Sequence, residues 1–184
     1  MYLRINNHEI NILHATPQDW EGAMALAWRT FSRYDAPIYT DEGCESFINF
    51  ISSQTLHKAF LLGRYRMFVA KADDEIVGIG SFREQNHISL LFVDDKYHGC
   101  GIGRALIMCM EDYLFRRRVL PLDNEDDKIL DVLYERADEN YISVFAAPNA
   151  EDFYKKMGFY RLADEDTSDG ITYIPMIKRE KEGE

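Results

Sequence analysis

The stretch from Arg66 to Val93 restricts the fold more than any other part of the chain. Three β-type runs, RMFVAKA, EIVGIGSFRE and HISLLFV, follow one another with only Asp73-Asp74 and Gln85-Asn86 between them. Joints of two turn-forming residues leave room for a hairpin and nothing longer, so the spacing predicts an antiparallel meander. The third run feeds directly into DDKYHGCGIGRAL, Asp94 to Leu106, where Gly99, Gly101 and Gly103 precede a stretch of helical periodicity. A strand must therefore turn through glycines straight into a helix.

The remaining elements fall into order around this centre. EINILHA, Glu9 to Ala15, alternates Ile10 and Ile12 and reads as a strand. Thr16 before Pro17 marks a helix start, and Trp20, Ala23, Met24, Ala27, Trp28 and Phe31 form its apolar stripe. A second helix is expected over Glu42 to Ser53, after the connector SRYDAPIYTDEG, which Pro37 helps keep out of helix. RALIMCMEDYLFRR is helical, with a basic end that suits the helix dipole. Then come a strand (YISVFAA), a short helix (AEDFYKKMGF, stopped at Gly158), a further strand at FYRLADE and a last strand (GITYIPMIK). The acidic segment 119–140, in which KILDVLYERA can form one more helix, is too short for its own core and reads as an insertion. Residues 179–184 read as a disordered tail. The order β-α-α-β-β-β-α-(insert)-β-α-β predicts one domain, 1–178, of the α/β (α+β) class: a mixed, mostly antiparallel central sheet flanked by helices.

A hydrophobic share of 46% with 29% charged residues excludes a disordered chain and a membrane protein. No apolar run approaches the ~20 residues that span a bilayer. The formal charge of −11 repels nucleic-acid phosphates and anionic lipid and favours cationic substrates. The start MYLRINNHEI lacks the layout of a signal peptide. Cys44, Cys100 and Cys109 have no metal-type spacing, so reduced thiols in a cytoplasm, and no metal, are expected.

Glycine permits positive φ and lets another group approach the backbone. A helix start presents unpaired N–H groups and a positive dipole end. The turn therefore reads as an anion cradle built from Gly99 to Arg104, with a tight turn that merely needs glycine as the alternative. It lacks the dinucleotide spacing, and no Gly-Lys-Ser/Thr follows to make a P-loop.

LLFVDDKYHGCGIGRAL resembles the acyl-CoA-binding motif of the GNAT N-acetyltransferase superfamily, with His98 at the Arg/Gln place and Gly101 and Gly103 as its glycines. AEDFYKKMGF, Ala150 to Phe159, is similar to the family's A-x-x-F-Y-x-K-x-G-F. The resemblance covers most of the chain and implies the GNAT-like acyl-CoA N-acyltransferase fold with acetyl-CoA as acyl donor. It implies that the backbone of Leu91, Phe92 and Val93 pairs with the pantetheine arm. The amides of Gly99, Cys100, Gly101, Ile102, Gly103 and Arg104, together with His98, then hold the pyrophosphate. Many members carry an asparagine seven residues before the tyrosine; Ala147 stands there, with Asn149 two positions on as its substitute. Transfer in the family goes directly from thioester to amine, so the Cys100 thiol is incidental.

By the same resemblance Tyr154 donates the proton taken by the leaving thiolate, the alternative being a packed aromatic. His87, at the start of the strand leading to the cradle, is the expected base; Glu84 is a second candidate, and Ser89 projects from the face of His87. Tyr34 and Tyr39 are expected to bind the acceptor, with Asp35, Asp41 and Glu42 attracting a cation; Trp28 and Phe31 read as core. The expected activity is acetyl transfer to the primary amine of a small cationic molecule. A protein or peptide amine comes next, then an acyl-CoA sensor without catalysis; a nucleotide-binding protein fits the cradle but not the meander. Homodimers are common in proteins of this type, though no segment here marks an interface.

Overall fold

The computed structural model describes residues 1–5, 8–84, 86–116 and 141–180, and absences are stated of these residues. The strands are β1 (Tyr2–Ile5), β2 (His8–His14), β3 (Arg66–Ala72), β4 (Glu75–Arg83), β5 (His87–Val93), β6 (Tyr141–Ala146), β7 (Tyr160–Arg161), β8 (Asp166–Ser168) and β9 (Ile171–Arg179). The helices are α1 (Trp20–Tyr34), α2 (Asp41–Ile51), α3 (Gln54–Leu61), α4 (Ile102–Arg116) and α5 (Glu151–Lys156). The sheet runs β1-β2-β3-β4-β5-β6-β9-β7, with β8 paired to β9. Every pairing among the described residues is antiparallel except that of β5 with β6. The expected meander is β3-β4-β5, and the sheet is mixed and mostly antiparallel, as the element order predicted.

Some elements differ from the sequence reading. β1, only four residues long, offers too few positions for a periodicity to show. Ser52 and Ser53, read as the end of one helix, close α2 and open α3: the Ser53 hydroxyl accepts the Leu56 N–H at 3.2 Å. Arg179, assigned to the tail, pairs opposite Tyr141 as the last residue of β9. The 119–140 insertion and residues 181–184 lie outside the described residues.

Strand alternation divides the core into two layers. Met67 and Val69 of β3 pack towards α1 and α2, among Ala23, Ala27, Phe31 and Phe47. Phe68 and Ala70 of the same strand pack towards α4, among Ile102, Leu106 and Met110. Each fully buried Leu or Ile in these layers contributes about 1.5–3 kcal/mol relative to exposure.

Two irregularities interrupt β5. Ser81 lies opposite Leu90 and Phe82 opposite Ile88, so Ser89 is an extra residue, a β-bulge. Ile88 therefore packs on the α4 side and Leu90 on the α1 side, although a regular strand would send both the same way. The second irregularity is that β5 meets β6 only at His87–Ser143 and Ile88–Val144. β6 then continues with β9, leaving Leu91 to Val93 bonded to β4 alone.

The β8–β9 turn closes over this gap by packing on the first turn of α2. The Thr40 hydroxyl accepts the Gly43 N–H at 3.1 Å and donates to Gly170 O at 3.2 Å, and the Ser46 hydroxyl donates to Asp169 O at 3.1 Å. Contact is close enough that a Cβ on Gly43 would sit 2.3 Å from Gly170 O. Gly43→Ala should therefore destabilise the protein by about 1–3 kcal/mol through forced backbone displacement. Gly22→Ala, on the exposed face of α1 where a new Cβ meets only the Ile76 side chain at 3.1 Å, is the opposite case. It should gain up to about 1 kcal/mol of helix propensity. Urea midpoints of the two variants measure the difference in sign.

Candidate active site

Where β5 and β6 part, the chain encloses a cavity of ≈ 1060 Å³. Its walls are the end of α1, the face of α2, the β8–β9 turn, the start of α5 and the turn before α4.

One end of the cavity is formed by an open strand edge and the start of a helix. The Asp94 N–H donates to Val77 O at 2.9 Å, so it points at β4. Alternation along an antiparallel strand then turns the N–H and C=O of Val93 and Leu91 to the open edge. The ring of His98 reaches that edge, its Nε2 2.8 Å from Val93 O. Phe92 departs from expectation: its main chain faces β4, and only its side chain can line the cavity. Gly99 and Gly101 adopt φ of 74° and 87°, and a Cβ on either would meet nothing within 4 Å. Glycine is needed there for conformation, and the space in front of the turn is open. The first bond closing α4 runs from the Ala105 N–H to Gly101 O at 3.0 Å. The amides of Ile102, Gly103 and Arg104 thus stand at the positive end of a 15-residue helix, beside the exposed Arg104 side chain. The Cys100 thiol is turned back to His98 O, 3.7 Å away. A diamide arm laid along the open edge and a diphosphate at the turn would each find donors of the right kind.

α1 is strapped to this turn. Arg29 pairs with Asp94 at 2.7 Å and Arg33 pairs with Asp95. Burial alone would raise the Asp94 carboxyl, but the Arg29 guanidinium and the Lys96 amide outweigh it and hold it below the usual range. Tyr34, expected at the acceptor, lies at the same end, its ring 5.1 Å from that of His98.

The other end of the cavity is aromatic, with a few charges. Tyr154 is 5% exposed, its ring edge-on between Phe153 and Phe159. Burial, then the nearby Asp35 carboxylate, push its phenol above the usual range, so its proton is retained at neutral pH. Tyr39 is shifted the same way by the same two causes. Burial raises Asp35 itself, against the Asn149 side chain, whose Nδ2 donates to Asp35 Oδ1 and Tyr34 O, both at 3.1 Å. Asn149 is thus engaged with the end of α1, which sequence reading did not anticipate for a cofactor contact. Asp41 and Glu42 are exposed and lie outside the cavity wall, as does Glu84.

His87 lines the cavity but is poorly arranged to be the expected base. Its Nδ1 is 3.0 Å from the Ser143 hydroxyl and its Nε2 3.4 Å from Arg83 Nη2. Arg83 can only donate, so Nε2 carries the lone pair and is already occupied. Burial, then the Arg83 charge, lower the imidazole to about 4. The hydroxyls of Tyr65, Ser81 and Ser89 bond in a closed ring at 2.6, 2.9 and 3.0 Å. Sequence reading missed this ring and Arg83, because both depend on the unpredicted bulge that sets which side chains share a face. No cluster of metal-ligating side chains is present among the described residues.

The arrangement has counterparts. The family model of the acetyltransferase (GNAT) domain matches residues 35–120 and 127–180. Among solved structures, a GCN5-related N-acetyltransferase from Rhodopseudomonas palustris superposes with a TM-score of 0.71 at 19% identity, over 97% of this chain and 98% of that one. PaiA N-acetyltransferase from Thermoplasma acidophilum, in complex with coenzyme A, gives 0.68 at 19% identity, over 93% of this chain and 99% of its own. A chimera of spermidine N-acetyltransferase SpeG from Vibrio cholerae and hSSAT gives 0.56 at 16% identity, over 92% and 95%. At these identities the likeness is one of fold. No curated protein matches the chain in sequence.

The neutral state of His87 has a measurable cost. The folded protein keeps it unprotonated down to about 4, whereas the unfolded chain protonates near 6.5. Stability from this group is therefore complete above 6.5 and falls between 6.5 and 4, by about 3 kcal/mol. His87→Gln, which keeps a donor and an acceptor without a titration, should flatten that part of the stability–pH curve. An unchanged slope between wild type and variant would show that His87 is solvated.

Proposed function

The chain belongs to the GNAT acetyltransferase family and is an acyltransferase with acetyl-CoA as donor; from there we propose that it acetylates the primary amine of a small molecule by direct attack on the thioester. The observation that carries the reading is that Tyr154 and Asp35 line one cavity, electrostatically coupled, beside the open edge of β5.

The open backbone of Leu91 and Val93 would hold the pantetheine arm, and the amides of Gly99 to Arg104 the diphosphate. An incoming ammonium is drawn by Asp35, the half-buried carboxylate of the cavity. It yields one proton to that carboxylate, directly or through water. The neutral nitrogen attacks the carbonyl carbon, a C–N bond forms, and the C–S bond breaks. The thiolate takes the Tyr154 proton; once bonded to carbon, the nitrogen sheds its second proton, which restores the phenol, while the first passes from Asp35 to solvent. An ammonium at Asp35 offsets the negative charge that holds the Tyr154 proton back, so acceptor binding primes the acid. Asp35 thus takes over the role first expected of His87, which instead positions Arg83. The β8–β9 turn over the cavity favours a small acceptor over a protein amine, and the carboxylate favours a cationic amino group.

Tyr154→Phe should lower kcat by about 10²–10⁴-fold, the range for a lost general acid. Acetyl-CoA affinity, measured by calorimetry, should stay close to wild type, since the phenol oxygen touches only the reacting end. In wild-type protein, acetyl-CoA at about 100 times its Kd should stabilise the fold by about 2.7 kcal/mol while ATP does not. Equal kcat in the two proteins would remove Tyr154 from the chemistry; tight acetyl-CoA binding with no transfer to any amine would leave a sensor.

A further inference from the structure

We propose that Arg83 anchors a carboxylate on the acceptor, so that the substrate is an amine that also bears an acid, of the amino-acid class. The inference rests on the acetyltransferase reading above and specifies its acceptor.

Arg83 ends β4 and lines the same cavity as Asp35 and Tyr154. Its partners among the described residues carry no negative charge. The guanidinium carbon lies 5.6 Å from the centre of the Phe145 ring, and Nη2 faces the His87 lone pair at 3.4 Å. Among the described residues no ion pair includes Arg83, whereas Arg29, Arg33 and Arg161 each pair with a carboxylate. Asp169, another carboxylate of the cavity wall, instead accepts from the Ser168 hydroxyl at 3.3 Å. An aromatic face and a neutral imidazole hold the guanidinium in place without neutralising it. Among the described residues only Nη2 has a hydrogen-bond partner, which leaves the other donors of the planar fork that binds carboxylate in bidentate fashion.

The support is itself braced. Phe145 packs against the His87 ring at 4.6 Å and the Tyr173 ring at 4.4 Å, so guanidinium, imidazole and two aromatic rings form one block. Asp35 and Arg83 give one cavity a site for an ammonium and a site for an anion, with aromatic wall in the same space. A polyamine would bring its second cation towards an unpaired guanidinium, which costs affinity. A zwitterionic amine satisfies both charges.

Matched pairs of amino acid and decarboxylated amine test this: lysine with cadaverine, ornithine with putrescine, phenylalanine with phenethylamine. Thiol release from acetyl-CoA is followed, and products are verified by mass. The acid-bearing member of at least one pair should win in kcat/KM by about 10- to 100-fold, the value of a charge-assisted hydrogen-bonded pair. Arg83→Gln should collapse that preference by raising KM of the acid with little change in kcat, and Arg83→Lys should restore part of it. Thermal midpoints of both variants check that they fold. Preference for the decarboxylated members, or an unaltered preference in Arg83→Gln, overturns the inference and leaves the acetyltransferase reading intact. Transfer to no amine of either set, with acetyl-CoA bound, overturns both.

Discussion

The rest of the structure depends on a strand that loses one neighbour halfway along the sheet. After Ile88, β5 keeps β4 and parts from β6, so among the described residues the outward main-chain groups of Leu91 and Val93 have no strand partner, and only Val93 O meets a side chain, the His98 ring. Unpaired backbone groups away from water are costly, and a sheet interior ordinarily has none. Here the open edge borders the cavity, where the proposed function lays the substrate arm, and the neighbouring features are arranged around it. The bulge at Ser89 turns the strand. The glycine turn sends the chain into α4 with its free amides beside the gap, and His98 partly covers the exposed edge. In the proposed function this opening is the seat of the acyl-CoA.

A second organising element is the end of α1. It carries Arg29 and Arg33 to the turn before α4, Tyr34 to His98, and Asp35 to Asn149. Both ends of the cavity are therefore attached to one helix. Displacing its last turn would disturb the anion end and the acceptor end together. The carboxylate of Asp35 is the electrical counterpart of this arrangement, since it acts on both Tyr39 and Tyr154.

Local chemistry was legible in the sequence wherever it sits in contiguous residues. The hairpin dipeptides predicted β3-β4-β5, the glycines predicted the strand-turn-helix, and AEDFYKKMGF located Tyr154. Relations that depend on register were not legible. A bulge shifts which side chains share a face without altering composition, so Arg83, His87 and the Ser81–Ser89 contact could not be aligned from spacing. For the same reason His87 read as a free base, although Arg83 and Ser143 already occupy its two nitrogens. The nearness of Asn149 to the motif position gives no sign of its bonds to Tyr34 and Asp35, which lie 115 and 114 residues earlier. Charge was legible in kind but not in place: of the acids named in the connector, Asp35 lines the cavity while Asp41 and Glu42 do not.

The ring formed by Tyr65, Ser81 and Ser89 has a property that its distances alone do not express. Each hydroxyl gives one hydrogen bond and receives one, and in all three contacts either oxygen can be the donor. The cycle therefore has two senses of circulation, clockwise and anticlockwise, related by rotating three hydrogens while every oxygen stays still. Switching sense reorients three dipoles at once. Ser89 also borders the cavity, and in either sense its one hydrogen is held within the ring. Whichever way the cycle runs, this hydroxyl meets the cavity as an acceptor only.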